Sequence, residues 1–166
     1  MLLKQHILFT KQECDSIISK MINEPTHWQY KDRSYDSYLL SYNDATKWIF
    51  ERLKKYFESE TGIEIYKIRK EIHFHKFIKG DWFAKHNDIN DSRLYAIGTM
   101  LNDDFEGGDF IMYNDEKIIL DKKVGNTYIF DVKIEHEITP IIDGERYSLL
   151  WFLQNKNIKL DIKSLI

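Results

Sequence analysis

Cysteine is almost absent: Cys14 is the only one in 166 residues. It has no partner here for an internal disulfide, so a reducing compartment is the simpler expectation. The sequence also has no long apolar run. Its start, Met1-Leu-Leu-Lys-Gln-His, is too short and too polar for a signal peptide or a membrane span, and a cytoplasmic, membrane-free protein is expected. Charge of one sign is lacking as well. The net charge is -3 with acids and bases interspersed, and without a basic stripe nothing favours nucleic acid as a partner. Proline and glycine are few, at two and seven residues. No internal repeat, linker or low-complexity segment is present.

What is there describes an ordinary globule, with 43% hydrophobic and 31% charged residues. The length suits one domain over 1–166, able to bury roughly two-thirds of its unfolded surface without a disulfide or structural metal. A short strand is read within Met1 to Phe9. Thr10-Lys-Gln-Glu13 has the form of a capping box. Cys14, Ile17, Ile18, Met21 and Ile22 follow at helical spacing as one apolar stripe, so Cys14 reads as packing rather than as a reactive thiol. Asn23-Glu-Pro25 ends this helix.

The segment His27 to Tyr42 is aromatic and polar without a clear period. It reads as a strand pair packed on a helix, the other reading being a substrate-facing loop. Asp44 is the expected cap of a second helix, with Trp48, Ile49, Leu53, Tyr56 and Phe57 as its apolar face and Gly62 as its stop. Residues 1–62 are therefore a helical support, and 63–154 a barrel region of strands.

From Ile63 the pattern changes to strands. Ile72 and Phe74 fall on one face, with His73, His75 and Phe77 on the other. Further runs are Arg93–Leu101, Asp109–Met112, Lys117–Leu120, Thr127–Phe130, Ile134–Ile142 and Arg146–Leu153, with glycines between or at their edges. Short strands at this spacing suggest an antiparallel sandwich or barrel, mainly β with flanking helices.

The chemistry concentrates at His86-Asn87-Asp88 and at His136. On extended backbone residues i and i+2 point the same way, so His86 and Asp88 can grip one ion. With a third ligand from a distant strand they form a 2-His-1-carboxylate set, the facial triad of non-haem Fe(II) oxygenases. His73-x-His75 is a weaker rival, because the acidic residue such a pair needs is replaced by Lys79 and Gly80.

Four ordered pieces then carry a resemblance. They are Phe77-x-x-Gly80-x-x-Phe83-x-x-His86-x-Asp88, Leu101-Asn-Asp-Asp-Phe-Glu-Gly-Gly-Asp-Phe110, Gly125 to Asp131, and His136-Glu-Ile-Thr-Pro-Ile-Ile-Asp-Gly-Glu-Arg-Tyr-Ser148. Together they span roughly Lys76 to Leu153. The sequence resembles the prolyl 4-hydroxylase-like branch of the Fe(II)/2-oxoglutarate dioxygenases. The resemblance implies a double-stranded β-helix, a jelly-roll or cupin-like barrel, supported by the two N-terminal helices. It implies Fe(II) held by His86, Asp88 and His136, these being the catalytic centre. It implies 2-oxoglutarate anchored through its far carboxylate by Arg146, helped by Ser148, with ascorbate as an optional further reductant. A guanidinium suits the anchoring role because it pairs bidentately with a carboxylate and keeps its proton.

The activity so implied is hydroxylation of a peptidyl proline or related amino-acid side chain. A free amino acid or small metabolite is the alternative substrate, and a non-catalytic metal- or partner-binding barrel the alternative class. The block Arg-x-Asn-x-Thr-x-Arg of the alkylation-repair oxygenases is absent, which argues against nucleic-acid demethylation. Segments His27–Tyr42 and Asn87–Arg93 are expected to shape the substrate mouth.

Three departures from the family pattern stand out. Phe77 and Met100 stand where the family often has tyrosine, and Tyr95, Thr99 or Tyr128 could supply the missing hydroxyl. Asp143-Gly144 reads as a two-residue hairpin turn. That register would put His136 and Arg146 on opposite faces unless a bulge, for which Pro140 is a natural place, intervenes.

Overall fold

The computed structural model describes residues 2, 4–23, 29–30, 35–90 and 92–160. In chain order the first elements are β1 (His6–Ile7), α1 (Lys11–Asn23), β2 (Gln29–Tyr30), β3 (Asp36–Ser41), α2 (Lys47–Thr61), β4 (Glu64–Ile65), β5 (Glu71–Phe77) and β6 (Phe83–His86). Then come β7 (Arg93–Met100), β8 (Glu106–Gly107), β9 (Phe110–Asn114), β10 (Glu116–Ile119), β11 (Asn126–Asp131), β12 (Glu135–Ile138), β13 (Ile141–Asp143), β14 (Arg146–Gln154) and β15 (Ile158–Lys159).

A seven-stranded sheet runs in the order β1-β11-β7-β14-β5-β3-β2, and a four-stranded sheet in the order β10-β9-β12-β6. Two small pairs, β13-β8 and β15-β4, complete the ladders. Every neighbouring pair in the two large sheets is antiparallel. The crossing connections between these sheets make a double-stranded β-helix with two helices outside it, the mainly-β architecture expected. The segment 1–62 gives strands β1, β2 and β3 to the large sheet as well as both helices.

Two cores follow from the period-2 alternation of the large sheet. On its outer face Ile72, Phe74, Ile97, Ile129, Leu149 and Trp151 pack against Cys14, Ile17, Met21, Phe50, Leu53 and Phe57 of the helices. On its inner face Phe77, Ala96, Met100, Tyr128 and Phe130 meet Phe110, Met112 and Ile138 of the smaller sheet. Both faces being covered, β14 is buried along nearly its whole length and reads as an apolar run rather than as a half-polar strand. Trp151 is fully enclosed, and its indole N–H donates to the Arg69 carbonyl at 3.0 Å.

The helices begin and end for local reasons. The Glu13 amide donates to Thr10 Oγ1 at 3.1 Å and the Thr10 amide to Glu13 Oε1 at 3.0 Å, a complete capping box. The hydrogen bond from the Thr10 amide, opposed by burial and aided by Arg52, holds the Glu13 carboxyl below its usual range. Gly62 closes α2 in the left-handed region, with φ 71°.

Several expectations need correction. Asp44 does not cap α2. Asn43 Oδ1 accepts from the amides of Ala45 and Thr46 at 2.9 and 3.2 Å, and the helix opens at Thr46. Ile22, expected in the apolar stripe of α1, is 47% exposed, because the buried strip stops at Met21. The run 134–142 is two strands broken at Thr139-Pro140. Asp143-Gly144 does not join a hairpin: β13 pairs with β8 and β14 with β5 and β7, so the chain changes sheet there. The conflict between His136 and Arg146 then disappears, since each takes its facing from its own ladder. The proline stop of α1, Trp28 and most of the aromatic segment before Tyr35 lie outside the described residues, as do Met1, Leu3 and Asp91.

Candidate metal centre

β12 lies between β9 and β6, and His136 sits directly opposite His86 in that ladder. Strand alternation points both rings inward from neighbouring strands. Asp88 follows two residues after His86, and its amide donates to the Val132 carbonyl at 3.0 Å, which turns the side chain back toward the pair. One donor atom from each of His86, Asp88 and His136 lies within 4.8 Å of the other two. Asp88 Oδ1 is 3.4 Å from His86 Nε2, and Asp88 Oδ2 is 3.2 Å from His136 Nε2.

Local backbone fixes the tautomers. His86 Nδ1 bonds the Ala84 carbonyl at 2.6 Å and His136 Nδ1 the Ile134 carbonyl at 3.0 Å. A carbonyl only accepts, so both Nδ1 atoms carry the proton and both Nε2 atoms face the carboxylate. His86 Nε2 and Asp88 Oδ2 are buried without a hydrogen-bond partner. Lone pairs thus converge on one point and call for positive charge between them. A divalent ion serves all three donors at once. Donors held about 2.0–2.2 Å from one ion at right angles stand roughly 3 Å apart, close to the spacing seen. Were the imidazoles to carry a second proton in place of an ion, burial, which pushes the Asp88 carboxyl up, would be more than reversed by His136 and His86, holding it well below the usual carboxylate range. Phe83 lies against the His86 ring at 3.8 Å and Phe110 stacks on His136 at 5.3 Å, which dries the site and holds the rings. The residues present fit a divalent ion of intermediate softness.

Arg146 faces the same cavity from the large sheet. It is 1% exposed, yet no carboxylate pairs with it among the described residues. Its Nε–H donates to the Gly108 carbonyl at 3.1 Å, Nη1 to Ser148 Oγ at 3.1 Å and Nη2 to Met100 Sδ at 3.4 Å. Asp109, whose charge acts on it, is tied to Lys122 at 2.6 Å. Burial draws the Arg146 pKa below its ordinary value, with Tyr128 and Asp109 acting the other way. A buried guanidinium with neutral partners and N–H groups to spare is a receptor for an anion. Gly108, at φ 61°, makes room for it: a Cβ there would sit 2.4 Å from Ile141 Cδ1 and 3.1 Å from Arg146 Cδ.

The cavity that joins these groups has a volume of about 240 Å³. It brings together all five residues singled out from sequence: His86, Asp88, His136, Arg146 and Ser148. It also takes in both His73 and His75, together with Tyr35, Ser37 and Arg93, which lie in the two segments expected to shape the substrate mouth but were not singled out there. Alternation along β3 and β5 was the available signal, since Ser37 pairs with His75 and His75 with Ser148 on the inner face. Arg93 had no such signal. Its guanidinium lies 3.8 Å over the ring of Phe152, six residues beyond Arg146 on β14 and so about 20 Å from it along the strand. Of the three residues offered for the missing hydroxyl, only Tyr128 lines the cavity. Thr99 bonds Thr127 and Tyr95 packs on Phe57, both on the outer face. At Phe77 the lost phenol is replaced by stacking, with Tyr35 parallel to it at 4.4 Å and the Arg146 guanidinium 5.4 Å from its ring centre.

No helix among the described residues is long and apolar enough to cross a membrane. No protein-family model matches the chain, and no curated protein matches it in sequence. Solved structures do match its fold. An oxidoreductase of the 2OG-Fe(II) oxygenase family from Burkholderia pseudomallei superposes with a TM-score of 0.75 at 15% identity, covering 95% of this chain and 84% of that one. A prolyl-4-hydroxylase from Pseudomonas putida gives 0.70 at 16% identity, with 90% of each chain covered. A prolyl hydroxylase from Trichoplax adhaerens, in complex with a hypoxia inducible factor oxygen degradation domain peptide fragment, gives 0.72 at 15% identity over 95% of this chain and 84% of that one. The chain therefore has the fold found in 2-oxoglutarate–Fe(II) oxygenases and prolyl hydroxylases.

Proposed function

We propose that this chain is an Fe(II)- and 2-oxoglutarate-dependent hydroxylase acting on a peptidyl proline or related amino-acid side chain, with 1–166 as one catalytic unit. The observation that carries the reading is the convergence of Nε2 of His86, Nε2 of His136 and the Asp88 carboxylate in the same cavity as a buried, acid-free Arg146. His86, Asp88 and His136 would hold the ion, and Arg146 with Ser148 the far carboxylate of 2-oxoglutarate. When bound, iron and 2-oxoglutarate together supply the oxidation of an unactivated C–H bond: one oxygen atom of O₂ enters the product, and the other converts 2-oxoglutarate to succinate and carbon dioxide.

The protein's own part is positioning and exclusion of water. The carbonyls of Ala84 and Ile134 hold both imidazoles turned with Nε2 toward the point where an ion would sit. Phe83, Phe110 and Phe130 wall the site from solvent. Tyr35, Ser37, His73 and Arg93 line the remaining cavity and would meet the substrate. A free amino acid or small metabolite is the second reading, favoured by a cavity of only about 240 Å³, below the range of roughly 300–1,000 Å³ usual for ligand pockets. The reducing cytoplasm suits a ferrous enzyme whose single thiol, Cys14, is buried.

Anaerobic titration with Fe(II) and 2-oxoglutarate tests the reading. Wild type should develop the weak visible charge-transfer band, Asp88→Ala should not, and admission of oxygen to wild type should yield succinate. A protein that binds iron and 2-oxoglutarate yet never forms succinate would be a binding barrel instead, and one that binds neither would remove the reading.

A further inference from the structure

Tyr128 lines the cavity, and the proposed chemistry leaves it without a task. It is 2% exposed, and its hydroxyl makes no hydrogen bond with any described residue. A buried phenol normally finds a partner. Its position is unusual. Tyr128 belongs to β11, but its ring does not stay over that strand. The residue opposite it on β7 is Gly98, and a Cβ on Gly98 would lie 2.3 Å from both the ring carbon Cζ and the hydroxyl oxygen of Tyr128. The ring thus lies flat across β7 where any other residue would stand. It carries its hydroxyl from β11 toward β14, the strand of Arg146 and Ser148.

The neighbours on that side are consistent. Gly98 pairs with Leu150 and Met100 with Ser148 in the β7–β14 ladder, and Met100 already touches the Arg146 guanidinium through Sδ. Burial pushes the Tyr128 phenol up to about 12, against a smaller pull from Arg146. At neutral pH it is a proton-bearing donor, suited to a carboxylate and not to a second cation.

We propose that the Tyr128 hydroxyl, seated over Gly98, is the third donor of the carboxylate subsite formed by Arg146 and Ser148 and positions the far end of 2-oxoglutarate. This rests on the hydroxylase reading. The tyrosine hydroxyl that Phe77 and Met100 cannot supply is thereby provided from another strand, with Gly98 as its required companion.

The test is calorimetric binding to protein loaded with Zn(II), which keeps the ligand set and performs no oxidation. Two probes are compared, 2-oxoglutarate and 2-oxopentanoate, the latter having the same chain without the distal carboxylate. Tyr128→Phe should weaken 2-oxoglutarate about tenfold and leave 2-oxopentanoate within about twofold of wild type, since a hydrogen bond to a charged group is lost for one probe alone. Gly98→Ala, which displaces the ring while keeping the hydroxyl, should weaken 2-oxoglutarate by a similar factor. Unchanged 2-oxoglutarate affinity in either variant overturns the proposal, and so does an equal loss for both probes, the mark of a merely structural role. Wild-type protein that binds neither probe would instead sink the hydroxylase reading itself.

Discussion

The two faces of the seven-stranded sheet are built from the same strands and differ in almost everything else. Along β14, Leu149, Trp151 and Leu153 face the helices, while Arg146, Ser148, Leu150 and Phe152 face the cavity. The outer face is dry, apolar and filled by Phe50, Leu53 and Phe57. The inner face carries the Arg146 guanidinium, buried without an acid among the described residues, beside the imidazoles of His73 and His75 and the hydroxyls of Ser37, Tyr128 and Ser148. A period of two lets one strand stabilise the fold on one side and hold this guanidinium on the other. Burial of Arg146 without an acid is a cost, and the helix-covered side must offset it.

Mutations that strike one face alone would break this contrast. The largest effect on folding is expected from Phe50→Ala, which opens a void beside Trp151 and should cost about 3–5 kcal/mol in denaturant unfolding while leaving metal affinity of the folded protein unchanged. On the other face, Asp88→Ala should lower metal affinity by roughly a hundredfold or more, near 3 kcal/mol, by equilibrium dialysis against Fe(II). Arg146→Met sharpens the comparison. With the unpaired charge gone, the unfolding midpoint should hold or rise, by roughly 1 kcal/mol at most, while 2-oxoglutarate binding is lost. A clear drop in stability would mean the guanidinium is a structural strut. Smallest is Thr10→Ala, which removes the α1 cap and should cost about 1 kcal/mol with no change in ligand binding.

Much of this was legible in the sequence because it depends on local pattern. The capping box at Thr10, the stop at Gly62 and the opposed faces of Ile72/Phe74 and His73/His75 follow from neighbours a few residues apart. The meeting of His86, Asp88 and His136 was legible only through ordered motifs, since their strands pair across the whole barrel. What escaped depended on which strand lies beside which. Asp143-Gly144 has the composition of a hairpin turn, but β13 finds β8 instead of β14. Strands β6 and β8, of four and two residues, are too short to show a period. Asn43 and Asp44 are adjacent capping residues, and the choice between them was settled by the turn, where Thr46 also bonds the Ser41 carbonyl. Tyr95 and Thr99 share the parity of the outward Ile97, so once β7 is placed they are removed as hydroxyl donors and Tyr128 is left.

The pairing of His86 with His136 reaches beyond the site. β6 is the edge strand of its sheet and is joined to β12 by an irregular ladder with few registered positions. An ion gripped by His86 and Asp88 on one side and His136 on the other ties that edge to the middle of the sheet. In a chain with a single cysteine it would act as a reversible cross-link between distant stretches of backbone, one that a chelator opens as a reductant opens a disulfide, so that the closure of the barrel follows the supply of metal.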